Sequence, residues 1–322
     1  MNKIGTDIAS HRIGFFLVPE FSMLAYTSAI ECLRIANRMS GTKIYDWPSY
    51  SLDGQAVQGS NGITVNVTGS LEDLQSVPSV VVCAGVNVQD HVEKAVLSRL
   101  RRLATHGASV GALCTGSYML ARAGLLDGYR CTIHWENLAG FREEFPDIDV
   151  TSELYEIDRN RYTCAGGTAA VDMMLTMIAM QNGHDLAALV ADMIMHHRIR
   201  EGTEGQRMAL RARLGVSHPK LLAVIARMEE NLEMPLSCGE LAEGVGLSTR
   251  QLERLFRKYL YKAPARYYLK LRLDRARFLL AQTSLPILSV ALACGFVSAS
   301  HFSKCYREHF NHTPSEERRQ VH

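Results

Sequence analysis

Residues 241–264, LAEGVGLSTRQLERLFRKYLYKAP, can be laid on residues 291–314, ALACGFVSASHFSKCYREHFNHTP. The offset is 49 at Ala242/Ala291 and Gly246/Gly295, and 50 at Leu252/Phe302, Phe256/Tyr306, Arg257/Arg307 and Pro264/Pro314. One residue is gained in the turn. Each copy reads as a short helix, a glycine where the chain turns tightly, and a second helix with apolar residues inward and cations outward. In the first copy the second helix is expected over about residues 248–260, capped by Ser248, with Leu252, Leu255, Phe256 and Tyr259 as its apolar stripe. That leaves Arg250, Gln251, Glu253, Arg254 and Arg257 facing out to reach base edges or phosphates. In the second copy, about residues 298–310 are expected to bury Phe302, Cys305, Tyr306 and Phe310, leaving Ser300, His301, Ser303, Lys304 and Arg307 as candidates.

Between the copies, ARYYLKLRLDRARFLLAQT (265–283) has the spacing of one continuous helix, about 265–281, which is roughly 25 Å at 1.5 Å per residue. Two reading helices on such a rod can enter successive major grooves, whose centres lie roughly 34 Å apart. Charge agrees with this. The chain's net charge is only +2, but from residue 217 onward sixteen Lys or Arg face ten Asp or Glu, a surplus of +6, while residues 1–216 carry −4. Exposed arginines occur on any small helical bundle; two copies in register, a spacing helix and that surplus together point to double-stranded DNA as the partner.

The first half has a different period. With 322 residues, two domains are expected. HRIGFFLV (11–18) and SVVVCAG (79–85) are short apolar runs of buried-strand type, with further strand candidates at 62–67, 108–113, 151–157 and 160–164. Helical patterns lie at 23–39, 92–107 and 172–183. Strands alternating with helices predict an α/β fold, a doubly wound, mostly parallel sheet covered on both faces. The charged, glycine-bearing stretch near 198–218 predicts a linker, giving an α/β domain over 1–195, a linker over 196–220 and an all-α domain of two helix-turn-helix units over 221–319.

Eight cysteines, at 32, 83, 114, 131, 164, 238, 294 and 305, contain no CxxC pair and mostly lie in apolar segments, so disulfides and zinc are not expected. His196 and His197 adjoin and point to different helix faces, which does not make a metal site. No cofactor is implied. No stretch approaches the roughly 18 apolar residues of a membrane span, and the start MNKIGTDIASHRIG lacks a signal-peptide layout, so a cytoplasmic protein with no membrane partner is expected.

Residues 221–319 resemble the AraC/XylS-type DNA-binding domain, above all in ILSVALACGFVSASHFSKCYREHFNHTPSEER (287–318). The resemblance implies transcriptional regulation, usually activation and hence work with RNA polymerase. It also implies base contacts from Arg250, Glu253 and Arg254 in the first unit and from Ser300, Ser303 and Lys304 in the second.

Residues 11–185 resemble the DJ-1/PfpI group of class I glutamine-amidotransferase-like domains, through VVCAGVN (81–87), ALCTGSYMLARAGLLDG (112–128), TIHW (132–135) and TCAGGTAAVDMML (163–175). In those enzymes the cysteine sits on a strand-to-helix elbow whose helix N-terminus lowers the thiol pKa. Cys114 takes that position here, His134 can accept its proton, and amides near Gly85, Val86 and Thr115 can form an oxyanion hole. Thr168 completes the implied pocket. The acid that usually bonds the elbow cysteine falls on Ala25, so the sequence departs from the catalytic pattern. Three readings of Cys114 stay open: a ligand-pocket residue, a structural elbow and a working catalyst.

HWENLAGF (134–141), AIECLRIANRMSG (29–41) and IDRNRYTCAGGTAAVDMML (157–175) resemble a subgroup of such fused regulators that senses glycine betaine, dimethylglycine, carnitine or arginine, the glycine betaine catabolism regulators nearest among them. On that resemblance Trp135 supplies an aromatic face for a quaternary ammonium and Glu31 a compensating charge. The competing reading makes Trp135 a core aromatic and Glu31 a surface or capping acid. The expectation is therefore a homodimeric, non-enzymatic regulator with a small-molecule effector. The rivals are a DJ-1/PfpI-like cysteine amidase or glyoxalase with a DNA-binding tail, and a ligand-independent architectural DNA binder.

Overall fold

The computed structural model describes residues 10–321, which form two compact units that divide after Gln206. In chain order the first unit runs β1 (His11–Leu17), α1 (Met23–Ser40), β2 (Tyr45–Asp46), β3 (Ser49–Ser51), β4 (Val57–Gln58), β5 (Thr64–Val65), β6 (Gly69–Ser70) and β7 (Ser79–Cys83). A short 3-10 turn (Val88–His91) leads into α2 (Lys94–Thr105), β8 (Ser109–Leu113), α3 (Gly116–Arg122), β9 (Cys131–Thr132), α4 (Leu138–Glu144) and β10 (Val150–Thr151). The unit closes with β11 (Tyr155–Asp158), β12 (Arg161–Cys164), α5 (Ala169–Asn182) and α6 (His184–Met193).

The main sheet has the order β11-β12-β8-β7-β1-β3-β6, with β2 also on β1, and every pairing is parallel except β11 with β12. The mostly parallel, doubly wound sheet expected from the alternating pattern is thus present. Its central strands β1, β7 and β8 are apolar past their first one or two residues because both faces are dry there. Phe15, Leu17, Val81 and Cys83 join the core beside α1 and α5, while their neighbours Phe16, Val18, Val80 and Val82 join the core beside α2 and α3.

Three expectations change. Residues 62–67 do not add to the main sheet; Thr64–Val65 pairs antiparallel with Val57–Gln58 in a separate hairpin that leaves Gln58 and Thr64 in solvent while Val57 and Val65 pack on the core. The sheet position beside β1 is taken instead by the polar SYS of β3, buried through a Tyr26–Ser49 hydroxyl pair at 2.7 Å. Residues 151–157 split, with Val150–Thr151 on β9 and Tyr155–Asp158 on β12. The stretch expected as linker is structured at both ends: residues 196–206 belong to the first unit, whereas Leu210–Leu214 (α7) packs with the second.

The second unit is helical: α7, α8 (Pro219–Glu230), α9 (Cys238–Glu243), α10 (Thr249–Leu260), α11 (Pro264–Gln282), α12 (Ile287–Ala293), α13 (Ala299–Phe310) and α14 (Pro314–Val321). The repeat is structural. Gly246 and Gly295 both have positive φ, +63° and +74°, in the two helix-turn-helix turns. Tyr261 and Asn311 both end their helices in the left-handed region, and Pro264 and Pro314 both begin the next helix. Serine caps start both reading helices, Ser248 with Gln251 as a full capping box and Ser298 accepting from the His301 amide. The connecting α11 has 19 residues, roughly 28 Å of rod.

Gly116 shows how tightly the elbow helix meets the sheet, since a Cβ there would lie 2.3 Å from the Val82 carbonyl oxygen in β7. Gly116→Ala should therefore destabilise the first unit by about 1–3 kcal/mol, read as a lower urea midpoint at unchanged slope. An unmoved midpoint would mean that α3 does not press on β7 in this way.

Candidate functional site

The elbow lies between β8 and α3. Cys114 has φ +60°, an uncommon conformation for a residue with a side chain. It is held there by main chain: its amide donates to Cys164 O (3.0 Å), and its own carbonyl accepts from the His134 amide (3.4 Å). Gly166 closes the other side, where a Cβ would come within 2.7 Å of the Cys114 Cβ and 3.1 Å of its Sγ. The Thr115 hydroxyl is buried and donates to Gly85 O at 2.6 Å, so it braces the loop after β7. Gly85 in turn lies against the Glu20–Ser22 backbone, leaving no room for a side chain.

Gly85, Val86, Cys114, Thr115, His134 and Trp135 are thus gathered around one elbow at the carboxyl ends of the parallel strands, the usual ligand position of such sheets. Val86 is exposed, and His134 and Trp135 are half-buried with ring centroids 5.6 Å apart. Thr168 stands two residues beyond Gly166, at the N-cap of α5. Glu31 is not brought to this place. The residues that lead into α1, Phe21–Ser22, reach the elbow loop, bridged to Gly85 and Ala84, and eight residues of helix from Met23 carry Glu31 roughly 12 Å further on. There it is gripped bidentately by Arg34, at 2.6 to 3.0 Å. Ala25 is buried in the core beside the same elbow loop, so its position supplies no carboxylate.

The electrostatics do not activate the thiol. Burial, then the neighbouring Cys164 thiol, push Cys114 up to about 12, with the Thr115 amide acting weakly the other way. Burial lowers the His134 pKa against the opposing Glu136, whose Oε2 lies 3.7 Å from His134 Nδ1. In this chain desolvation outweighs the N-terminus of the seven-residue α3. At pH 8 a thiol of pKa about 12 is ionised to roughly one part in 10⁴, against about a quarter for an ordinary cysteine. Carbamidomethylation of Cys114, followed by peptide mass spectrometry, should be correspondingly slow at pH 8 and should climb about ten-fold per pH unit up to pH 10. A rate at pH 8 close to that of free cysteine would contradict this.

A strap that the sequence did not disclose borders the elbow. Asp172 on α5 has no solvent exposure, and its carboxylate accepts from the Arg200 amide (2.7 Å), Arg200 Nε (2.9 Å) and Nη2 (2.6 Å), with His196 Nε2 at 2.7 Å. Arg200 Nη2 also donates to Thr168 Oγ1 (2.9 Å). The strap then pairs along residues 153–155, where the Leu154 amide donates to Gly202 O and Glu204 O. It ends with Gln206 Nε2 donating to Thr132 Oγ1 (2.9 Å), Ile133 O (2.9 Å) and Glu153 O (3.0 Å). Residues 196–206 are therefore tied beside Thr168 at one point and beside His134 at another. The clue in the sequence was RIREGTEGQ, whose polarity reads equally well as linker.

In the second unit Arg250, Gln251, Glu253, Arg254 and Arg257 are all exposed, while Leu252 and Phe256 are buried in a core with Leu221, Ile225 and Leu241. On α13, Ser300, His301, Lys304 and Arg307 are exposed and Ser303 is half-buried. Phe302 and Tyr306 are buried as expected, but Cys305 and Phe310 are only half so, and Cys305 Sγ lies 3.3 Å from His301 Nε2 on the outer side. Two supports were missed. Arg272 on α11 donates to Cys294 O and Gly295 O (2.8 Å each) and lies over the Phe296 ring, clamping the second turn. Glu317 on α14 is buried and receives Arg277, Tyr306 and His312; burial would raise its pKa, but these three partners bring it below the usual carboxylate range.

A doubly wound α/β unit with an elbow cysteine, followed by two capped helix-turn-helix units bearing outward cations, defines a DNA-binding regulator class. Family models agree: one described as helix-turn-helix domain matches residues 241–320, and one described as DJ-1/PfpI family matches residues 11–180. The chain belongs to the AraC-type helix-turn-helix transcriptional regulators that carry an N-terminal DJ-1/PfpI domain. It is similar to the HTH-type transcriptional regulator GbdR of Pseudomonas aeruginosa, 49% identical over 306 residues, covering 95% of this chain and 83% of that one. It is also similar to the HTH-type transcriptional regulator CdhR of the same species, 47% identical with 96% and 92% covered. Among solved structures, an AraC family transcriptional regulator from Pseudomonas putida matches with a TM-score of 0.53 at 31% identity, covering 57% of this chain and 99% of that one. Among the described residues no helix is long and apolar enough to cross a membrane.

Proposed function

We propose that the α/β unit is the sensor of this DNA-binding transcriptional regulator, with a small metabolite seated at the elbow among Gly85, Val86, Cys114, Thr115, His134, Trp135 and Thr168. The observation that carries this reading is the strap, because Arg200 touches Thr168, Gln206 touches residues 132–133, and the same segment runs on into the DNA-reading unit. A ligand that favours one arrangement of the elbow loops then biases the strap, provided its affinity differs between the two states. The Trp135 face suits a methylated ammonium, quaternary in glycine betaine and carnitine and tertiary in dimethylglycine, so these three, with arginine, are the effectors to test. With Glu31 committed to Arg34, the carboxylate beside the His134–Trp135 pair is Glu136.

Binding rather than turnover is favoured by the missing acid at Ala25 and the raised Cys114 thiol. The protein works in the cytoplasm as a homodimer that engages RNA polymerase. Base contacts come from Arg250, Glu253, Arg254, Ser300, Ser303 and Lys304, with Arg257 and Arg307 on phosphates. Turnover of methylglyoxal or small amides that vanishes in Cys114→Ala would reverse the non-enzymatic reading.

For the sensor, thermal shift of the full chain against the four effectors is the first measurement. A true effector at 100 times its Kd adds about 2.7 kcal/mol of stability. Gln206→Ala should keep that shift while losing the effector's influence on affinity for DNA selected by the protein from a random pool. An effector response of unchanged size in Gln206→Ala would sink the strap as relay. For the reader, Arg254→Ala should cost about 1–3 kcal/mol and relax preference at one base position, whereas Arg307→Ala should lower the salt slope by about 1. Identical footprints and slopes in both variants would remove these helices from the interface.

A further inference from the structure

A cavity of about 380 Å³ opens at the carboxyl ends of β1 and β3, bordered by the 3-10 turn after β7. Its floor is apolar, with Val18, Val57 and Val96 among the buried side chains that line it. Its rim is acidic: Glu20, Asp53 and Glu93 contribute carboxylates, and none of the fifteen lining residues is Lys or Arg. Cys114 is not among them. The volume falls at the small end of metabolite pockets.

Two features show that the rim is built and not merely acidic. Glu20 and Asn87 both have side chains yet hold left-handed backbones, φ +60° and +53°, and they are joined by an Asn87 Nδ2 to Glu20 Oε2 hydrogen bond of 3.0 Å. Such strain persists only where surrounding structure enforces it, here the Glu20 amide on Gln58 O and the Glu20 carbonyl pressed against Gly85. The second feature is His91. Its Nε2 is shielded from solvent, makes no hydrogen bond, and lies 3.6 Å from Glu20 Oε2. That nitrogen is turned to the carboxylate and not to the open cavity. Glu20 Oε1 receives no hydrogen bond from the described residues.

We propose that this cavity is a second ligand site, which takes a small organic cation carrying N–H donors on an apolar stem, an alkylammonium or alkylguanidinium. The stem lies on the valine floor, and the N–H groups donate to Glu20 under the charge of Glu93 and Asp53. A quaternary ammonium has no donor to offer this carboxylate, and an anion meets three carboxylates. The amino end of α2 does not reverse this sign, because Glu93 is its N-cap residue. The site goes beyond the sensor reading above, since binding here requires nothing of the Cys114 elbow.

The test is a methyl-detected NMR titration of valine-labelled full chain with n-butylammonium and n-butylguanidinium, against 1-butanol, butyrate and tetramethylammonium. The two N–H cations should shift the Val18, Val57 and Val96 methyls saturably, in the millimolar range of so small a ligand, and the other three should not. Glu20→Gln with Glu93→Gln should weaken binding about ten-fold, as expected for lost charge-assisted hydrogen bonds, while Cys114→Ala leaves it unchanged. Should the double variant lose the native methyl spectrum, Glu93→Gln alone must still weaken binding. No saturable shift at these methyls, an equal shift with butanol, butyrate or tetramethylammonium, or undiminished affinity in the folded variant would overturn the proposal. A failed effector panel at the elbow would not touch this result, so the two readings fall separately.

Discussion

Burial of the central strands on both faces is the constraint from which the rest of the first unit follows. In β1, β7 and β8, from Ile13, Val80 and Val110 onward, successive side chains enter two different dry cores, so no position there tolerates an unpaired polar group. Polar chemistry is expelled to the strand ends. At the carboxyl end the chain must turn sharply into helices that lie close on the sheet, and glycine is required where backbone meets backbone, as Gly85 and Gly116 do. Cys114 holds its strained conformation because three neighbouring loops fix it. The elbow crevice and the acidic cavity share this origin, both lying where dry strands release the chain into loops.

Asp172 is a second, more local constraint. A carboxylate without access to water is costly unless its oxygens are satisfied, and here Arg200, with His196, does so from the segment after α6. The consequence reaches beyond one ion pair. Because the partner lies on the strap, the carboxylate turns what composition describes as a linker into a fixed edge of the α/β unit, and Gln206 ends that edge on the backbone beside His134.

The helical unit reaches one architecture twice by unequal means. The first helix-turn-helix rests on local devices, with capping boxes at Ser237/Glu240 and Ser248/Gln251 and a glycine turn. The second borrows from afar, with Arg272 clamping its turn and buried Glu317 drawing Arg277, Tyr306 and His312 together. Its outer face is correspondingly less cationic, Ser300, Ser303, Lys304 and Arg307 against the arginines of α10. The two helices therefore present different chemistry on one scaffold.

The sequence by itself determined whatever depends on neighbours along the chain. The doubled helix-turn-helix, its serine caps and glycine turns, the long α11 and the apolar strands 11–17, 79–83 and 109–113 all follow from periodicity and local backbone preference, which act over a few residues. It also carried the elbow motif, because Cys114, Gly116 and Gly166 sit in short runs whose composition reflects backbone proximity. Tertiary structure alone decided what depends on pairs distant in the chain. Asp172 chose Arg200, Gln206 chose residues 132–133, Glu20 met Asn87 and His91, and Glu31 was claimed by Arg34 rather than by the elbow. The polar SYS of β3 became a buried strand while the more apolar 62–67 was left at the surface, for the same reason. A side chain's partner is set by where the folded backbone delivers it, and burial then decides which of those meetings is strong.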